Sequence, residues 1–114
     1  MTDLITMNPR TAEFLLSEAR GQRSREALSL AITSSALQPG QILSADSNGD
    51  YQPFVAPAAG ESVQVAILWE GRPASTGTQG ATGIVRDAEL LRDRLTGLDS
   101  DAETALAAQG LILR

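Results

Sequence analysis

The firmest structural signal in the chain is a strict period of two across residues 62–70. Val63, Val65, Ile67 and Trp69 fall on one face of an extended segment, and Gln64, Ala66, Leu68 and Glu70 fall on the other. A chain whose clearest element is a strand has to supply partners for it, and other segments repeat the pattern. Leu28, Leu30 and Ile32 alternate with Ser29 and Ala31, and Gln41-Ile42-Leu43-Ser44-Ala45 is a second short run. Hydrophobic residues make up 42% of the 114, but aromatics only 4%. The core must therefore be built from Ala, Val, Ile and Leu, with Trp69, the sole Trp, expected to cap it.

Turn chemistry punctuates these runs. Gln38-Pro39-Gly40 reads as a turn, and Asp46-Ser47-Asn48-Gly49-Asp50 carries the Asn-Gly pair that signals a hairpin. Tyr51 to Val55 is the returning strand, placed at an edge by Pro53. Gly71 to Gly83 reads as a long polar loop, after which Ile84-Val85 resumes a strand. From Asp87 the period changes, with Leu90, Leu91 and Leu95 at helical spacing. Ser100-Asp101-Ala102-Glu103 is a capping box opening a second helix, which Gly110 stops, and Leu111-Ile112-Leu113 is a final strand. The body, residues 27–114, is thus expected to be α+β, mostly β, with one or two short helices near the C-terminus. Residues 1–26 read as an arm, polar except for Phe14-Leu15-Leu16. A short helix is expected there, with Asn8 as N-cap, Pro9 in the first turn and Gly21 as stop. No internal repeat is visible.

What the sequence lacks narrows the function. There is no Cys, so no disulfide, thiolate metal site or thiol nucleophile. There is no His, the commonest general base and metal ligand. All nine basic residues are Arg, so no Lys forms a Schiff base or completes a phosphate loop. The net charge is −5, unfavourable for nucleic acid and anionic lipid. That deficit lies wholly in the body, because four Arg balance four acids in residues 1–26. No apolar run approaches the ~20 residues of a membrane span, and Met1-Thr2-Asp3 opens no basic leader. A soluble, unsecreted chain is expected, with no cofactor and no metal.

Four segments have the residue types of candidate sites. Asp46-x-Asn48-x-Asp50 matches the start of a calcium loop, but Tyr51 and Pro57 stand where Gly and Glu are needed, and a hairpin turn explains the same residues. Asp87, Glu89 and Asp93 offer paired carboxylates for hydrolysis, yet Arg86, Arg92 and Arg94 lie among them, as on a solvated helix face. Gly77-Thr78-Gln79-Gly80-Ala81-Thr82-Gly83 lacks the Lys and helix start of a phosphate cradle. Arg20 to Arg25 has no interleaved aromatics for nucleic acid. It reads equally as a solvated link and as a peptide that docks on a partner protein.

The order of these features resembles the head decoration proteins of tailed bacteriophages, the family of the lambda head protein D. The likeness runs through Phe14-Leu15-Leu16-Ser17-Glu18-Ala19, Arg23-Ser24-Arg25-Glu26 and the Leu28-to-Ile32 strand. Leu37-x-Pro39-Gly40-Gln41-Ile42-Leu43 is similar to the family's L-x-x-G-x-(V/I)-L. Gly49-Asp50-Tyr51-x-Pro53, Ala66-Ile67-Leu68, the 83–91 junction, the Ala-rich helix and Gly110-Leu111-Ile112-Leu113-Arg114 complete it. Order and spacing over residues 14–114 carry the resemblance.

The resemblance implies a small β-rich, β-tulip or barrel-like domain and a non-enzymatic virion protein. Such a protein is made in the bacterial host cytoplasm and sits as homotrimers on the outer surface of the expanded capsid. It stabilises the head against the pressure of packaged DNA, its N-terminal arm docking on the major capsid protein. Carried onto this sequence, the capsid-binding set is Phe14, Leu15, Leu16, Arg23, Ser24, Arg25 and Glu26. The physics is compatible: three arms on one trimer act together, and linkage raises effective affinity by roughly 10²–10⁴. Another homo-oligomeric virion or adaptor module, and a small carboxylate-dependent hydrolase, are the alternative readings.

Overall fold

The computed structural model of the chain describes residues 11–19, 23–58 and 61–114. In chain order its elements are β1 (Leu15–Glu18), β2 (Arg25–Leu30), β3 (Ile42–Ala45), β4 (Tyr51–Pro53), β5 (Val65–Leu68), β6 (Gln79–Ile84) and β7 (Ala88–Leu90). A single 3₁₀ turn (Arg92–Arg94), the helix α1 (Ser100–Ala108) and β8 (Leu111–Leu113) complete the chain. Strand makes up 39% and helix 12%, so the fold is mostly β, as the alternating patterns require.

Five strands close into a barrel in the order β2-β4-β3-β5-β6, with β6 returning to β2. All pairs in it are antiparallel except β2–β4, which meet in parallel at Leu30 and Tyr51. The Asn-Gly hairpin connects β3 to β4 as its sequence dictates. Asp46 Oδ1 accepts from the Asn48 and Asp50 amides at 2.8 and 3.0 Å, and Gly49 takes φ +83°. Strand β4 lies inside the barrel order, not at an edge. Pro53 is tolerated because the pairing to β2 is made at Tyr51, two residues earlier.

A second sheet, ordered β1-β7-β8, lies over one side of the barrel. The alternation of β5 explains why two layers are needed: all four of its residues are buried, on opposite faces. Ala66 and Leu68 join Leu28, Leu30, Leu37, Leu43, Ala81 and Val85 in the barrel interior. Val65 and Ile67 face outward with Ile42 and Ile84, and are covered by Phe14, Ala88, Leu90, Ala102, Leu106 and Leu111. This outer core thus joins β1, β7, α1 and β8 to the barrel. Each Leu or Ile withdrawn from water in it contributes about 1.5–3 kcal/mol.

Two small residues and one amide permit the close packing. Gly83 faces the barrel interior, where a Cβ would overlap Leu28 and press on Ala66 at 3.2 Å. Gly40 has φ +90°, and a Cβ there would overlap the Arg94 carbonyl. Gln109, at the end of α1, inserts its side chain between β5 and the end of β6. Its Oε1 accepts from the Val65 amide at 2.6 Å, and its Nε2 donates to Val65 O at 2.8 Å and Val85 O at 2.9 Å.

Several expectations are corrected by these elements. The helix expected over 8–21 is not formed in its described part, since residues 15–18 are a strand; Asn8, Pro9 and Gly21 lie outside the described residues. Pairing with β7 and burial of Phe14 outweigh the marginal stability of so short a helix. Gly71–Gly83 is not all loop, because residues 79–83 belong to β6. The helix period at Leu90, Leu91 and Leu95 is instead β7 followed by the 3₁₀ turn, of which Leu91 and Leu95 are the flanking residues. The N-cap of α1 is Asp99, whose Oδ1 accepts from the Ala102 amide at 2.8 Å, and Glu103 is ion-paired with Arg92. Ile32 lies beyond the end of β2 and is exposed. Gly110 ends the helix as expected, at φ +80°.

Candidate functional site

The sequence directs attention to residues 14–26, and the structure sorts them by direction. Phe14 is 1% exposed, a full member of the outer core. Leu15 packs half-buried against that core, opposite Leu90. Leu16 sits at a bulge in β1, between the paired Leu15 and Ser17, and is 51% exposed. The three apolar residues of the segment therefore do not form one surface patch.

The charged residues meet at the junction of β1 with β2. Register places Glu18 in the same row as the buried Ala88 and Leu111, on the core side of the second sheet. Its side chain is only 15% exposed, so the carboxylate needs partners. Arg25 supplies two, Nη2 at 2.5 Å and Nε at 3.2 Å, and the buried Ser24 hydroxyl donates a third hydrogen bond. The Arg25 guanidinium in turn stacks 3.9 Å from the centre of the Trp69 ring. These contacts hold the Glu18 carboxyl below its ordinary value. The Arg25 hydrogen bonds are the largest cause, burial opposes them, and the Ser24 bond and the Arg25 charge add to the lowering.

The outer residues of the segment are pinned beside this cluster. Arg86 donates to the Arg23 carbonyl at 2.5 Å and pairs with Glu26 at 2.9 Å, both largely exposed. The Ala19 amide donates to Asp87 O and the Val85 amide to Ser24 O, each near 3 Å. Trp69 serves at both ends of the segment: its carbonyl accepts from the Ala12 amide at 2.9 Å, and its ring carries Arg25. Arg23, Ser24, Arg25 and Glu26 are thus brought together, with Ser24 and Arg25 turned inward and Arg23 and Glu26 outward. Glu18, Trp69 and Arg86 belong to the same cluster. Charge pattern alone gave no sign of them, because Glu18 reads as an ordinary surface acid until the sheet register is known.

The other candidates dissolve into structure. Asp46, Asn48 and Asp50 form the β3–β4 turn, and among the described residues no cluster of acidic groups is disposed to hold a metal. Glu89 pairs with Arg114 at 3.0 Å, while Asp87 and Asp93 are exposed on separate turns. Residues 79–83 of the Gly77–Gly83 segment belong to β6, the last glycine enclosed by the barrel. Among the described residues no helix is long and apolar enough to cross a membrane.

A closed barrel backed by a small sheet, with its best-buried described charges fastening one strand to another, defines a compact β module. Residues 4–112 match the family of the bacteriophage lambda head decoration protein D, and the chain belongs to that family. No curated protein and no solved structure matches it significantly. The family is one of structural proteins of the phage head, which gives this chain its place at the virion capsid.

Proposed function

We propose that this protein binds the outer surface of the expanded capsid as a homotrimer and stabilises the head against internal DNA pressure, without catalytic activity. The observation that carries this reading is the family match, which spans nearly the whole chain and reaches into the N-terminal segment at residue 4. In this reading the protein is made in the bacterial host cytoplasm, and the N-terminal segment docks on the major capsid protein. The expected docking set of Phe14, Leu15, Leu16, Arg23, Ser24, Arg25 and Glu26 divides by role. Leu16, Arg23 and Glu26 are exposed and available to a partner, whereas Phe14 and Ser24 are enclosed by the protein itself and Leu15 and Arg25 are half-buried. The outward three, together with residues preceding 11, make the contact; Phe14, Leu15, Ser24 and Arg25 hold the platform.

Co-sedimentation with expanded and unexpanded shells of the parent phage tests this. Saturable binding to expanded shells alone, at one copy per capsid subunit or a simple fraction of it, is the expected result; binding to neither shell overturns the reading. The informative truncation removes residues 1–10. Removing 1–26 also deletes β1 and Phe14 from the outer core, so lost binding would report lost structure. Analytical ultracentrifugation of the bound and free protein tests the trimer.

A further inference from the structure

The Glu18 cluster is the most enclosed ion pair among the described residues. Its side chains are 15% and 27% exposed, while both partners in the Arg72–Glu70, Arg86–Glu26, Arg92–Glu103 and Arg114–Glu89 pairs are at least 34% exposed. It is also placed where it controls an edge. Strand β1 is the outermost strand of its sheet, four residues long and interrupted by the bulge at Leu16. Its N-terminal end is held by the burial of Phe14, whose carbonyl also accepts from the Leu91 amide, and by the Ala12–Trp69 bond. The C-terminal end is held by the pairing of Ser17 and Glu18 with Glu89 and Ala88, by the Ala19 amide bond to Asp87 O just beyond the strand, and by the grip of Ser24 and Arg25 on Glu18.

From this geometry we infer that Glu18, Ser24, Arg25 and Trp69 form a proton-sensitive latch: while Glu18 is ionised, β1 is fastened to β7, and protonation frees residues 15–19 as a local unit pivoting on Phe14. The hinge lies at Phe14 because complete burial of that ring is the stronger hold. Opening uncovers the edge of β7, Ala88–Leu90. Arg25 from β2 is the charged group bonded to Glu18; Arg23, Asp87 and Glu89 line a recess with it, Glu89 from the Ser17 row on the other face of the sheet. Burial opposes ionisation of Glu18, and Arg25 outweighs it through direct hydrogen bonds. Because the folded carboxyl titrates below its unfolded value, the latch is fully fastened above the ordinary carboxylate range. It is lost as pH falls through the lower folded value.

Native-state hydrogen exchange on the full chain tests the latch, read as protection factors so that the intrinsic pH dependence cancels. Glu18→Gln keeps the shape of the side chain and removes the charge. At neutral pH this variant should lose protection about tenfold or more at Ala19 and the β1 amides. Ala12, before the pivot, and the barrel amides Ala31, Phe54 and Leu68 should stay within about twofold of the parent. The parent should show the same local loss on acidification, before the barrel opens, and Glu18→Gln should show no further β1-specific loss. Glu26→Gln, which removes an exposed pair, should leave β1 unchanged. Unaltered β1 protection in Glu18→Gln overturns the inference, as does loss in step with the barrel. Retained acid sensitivity of β1 in that variant assigns the switch to a group other than Glu18 and also overturns it.

Discussion

The barrel interior and the outer core are both aliphatic, yet they are assembled on different terms. The interior is drawn from β2, β3, β5 and β6 and the segments just beside them, and its residues are neighbours through hydrogen-bonded register. The outer core collects Phe14, near one end of the chain, and Leu111, near the other, onto the outward face of β3, β5 and β6. Closure of the barrel fixes the first; tertiary docking of separate segments makes the second. Tightness is therefore expected to limit the interior, and loss of contact to damage the outer core.

Substitutions at the two sites separate these terms. Phe14→Ala should have the largest effect, about 3–5 kcal/mol in chemical denaturation, because it empties the position that holds β1 to the barrel. A loss below 1 kcal/mol would mean that the segment around β1 contributes little to the folded state. Gly83→Ala should cost about 1–3 kcal/mol by overpacking against Leu28. Combined with Leu28→Ala, the cost should be smaller than the sum of the two single costs, because the shortened side chain makes room for the new methyl group; strict additivity would break the argument from tightness. Asp99→Ala removes the cap that orients α1 over the outer core and should cost about 1 kcal/mol, seen as a lower thermal midpoint. Arg86→Ala should change stability least, by less than about 1 kcal/mol, since its ion pair with Glu26 is largely exposed.

Local signals predicted local structure well. The period of β5, the Asn-Gly turn before β4 and the Gly110 stop depend on residues within a few positions of one another, and each forms as its sequence demands. Where the outcome depends on distant segments, the pattern misleads. Leu90, Leu91 and Leu95 have the spacing of a helix face, but β7 is selected by β1 and β8 on its two sides. Gly80 and Gly83 look like loop residues until the barrel closes and Leu28 requires the space over Gly83. The segment 14–26 shows the same limit for function. Its apolar and charged residues stand out in a polar stretch, and the sequence cannot show that Phe14 and Ser24 point inward while Leu16 and Arg23 point out.

Gln109 carries a consequence of another kind. Its amide offers one acceptor and one donor group to the main chain of Val65 and Val85, as a peptide unit of a neighbouring strand would. An amide neither gains nor loses a proton over the range in which proteins work, and a carboxylate of equal size would bring two acceptors to a place that needs a donor. The molecule thus has two kinds of joint between its layers. The one at Glu18 is electrical and answers to the medium, whereas the one at Gln109 is deaf to acid. Acid thus loosens the first seam while the second keeps the helix and barrel in register.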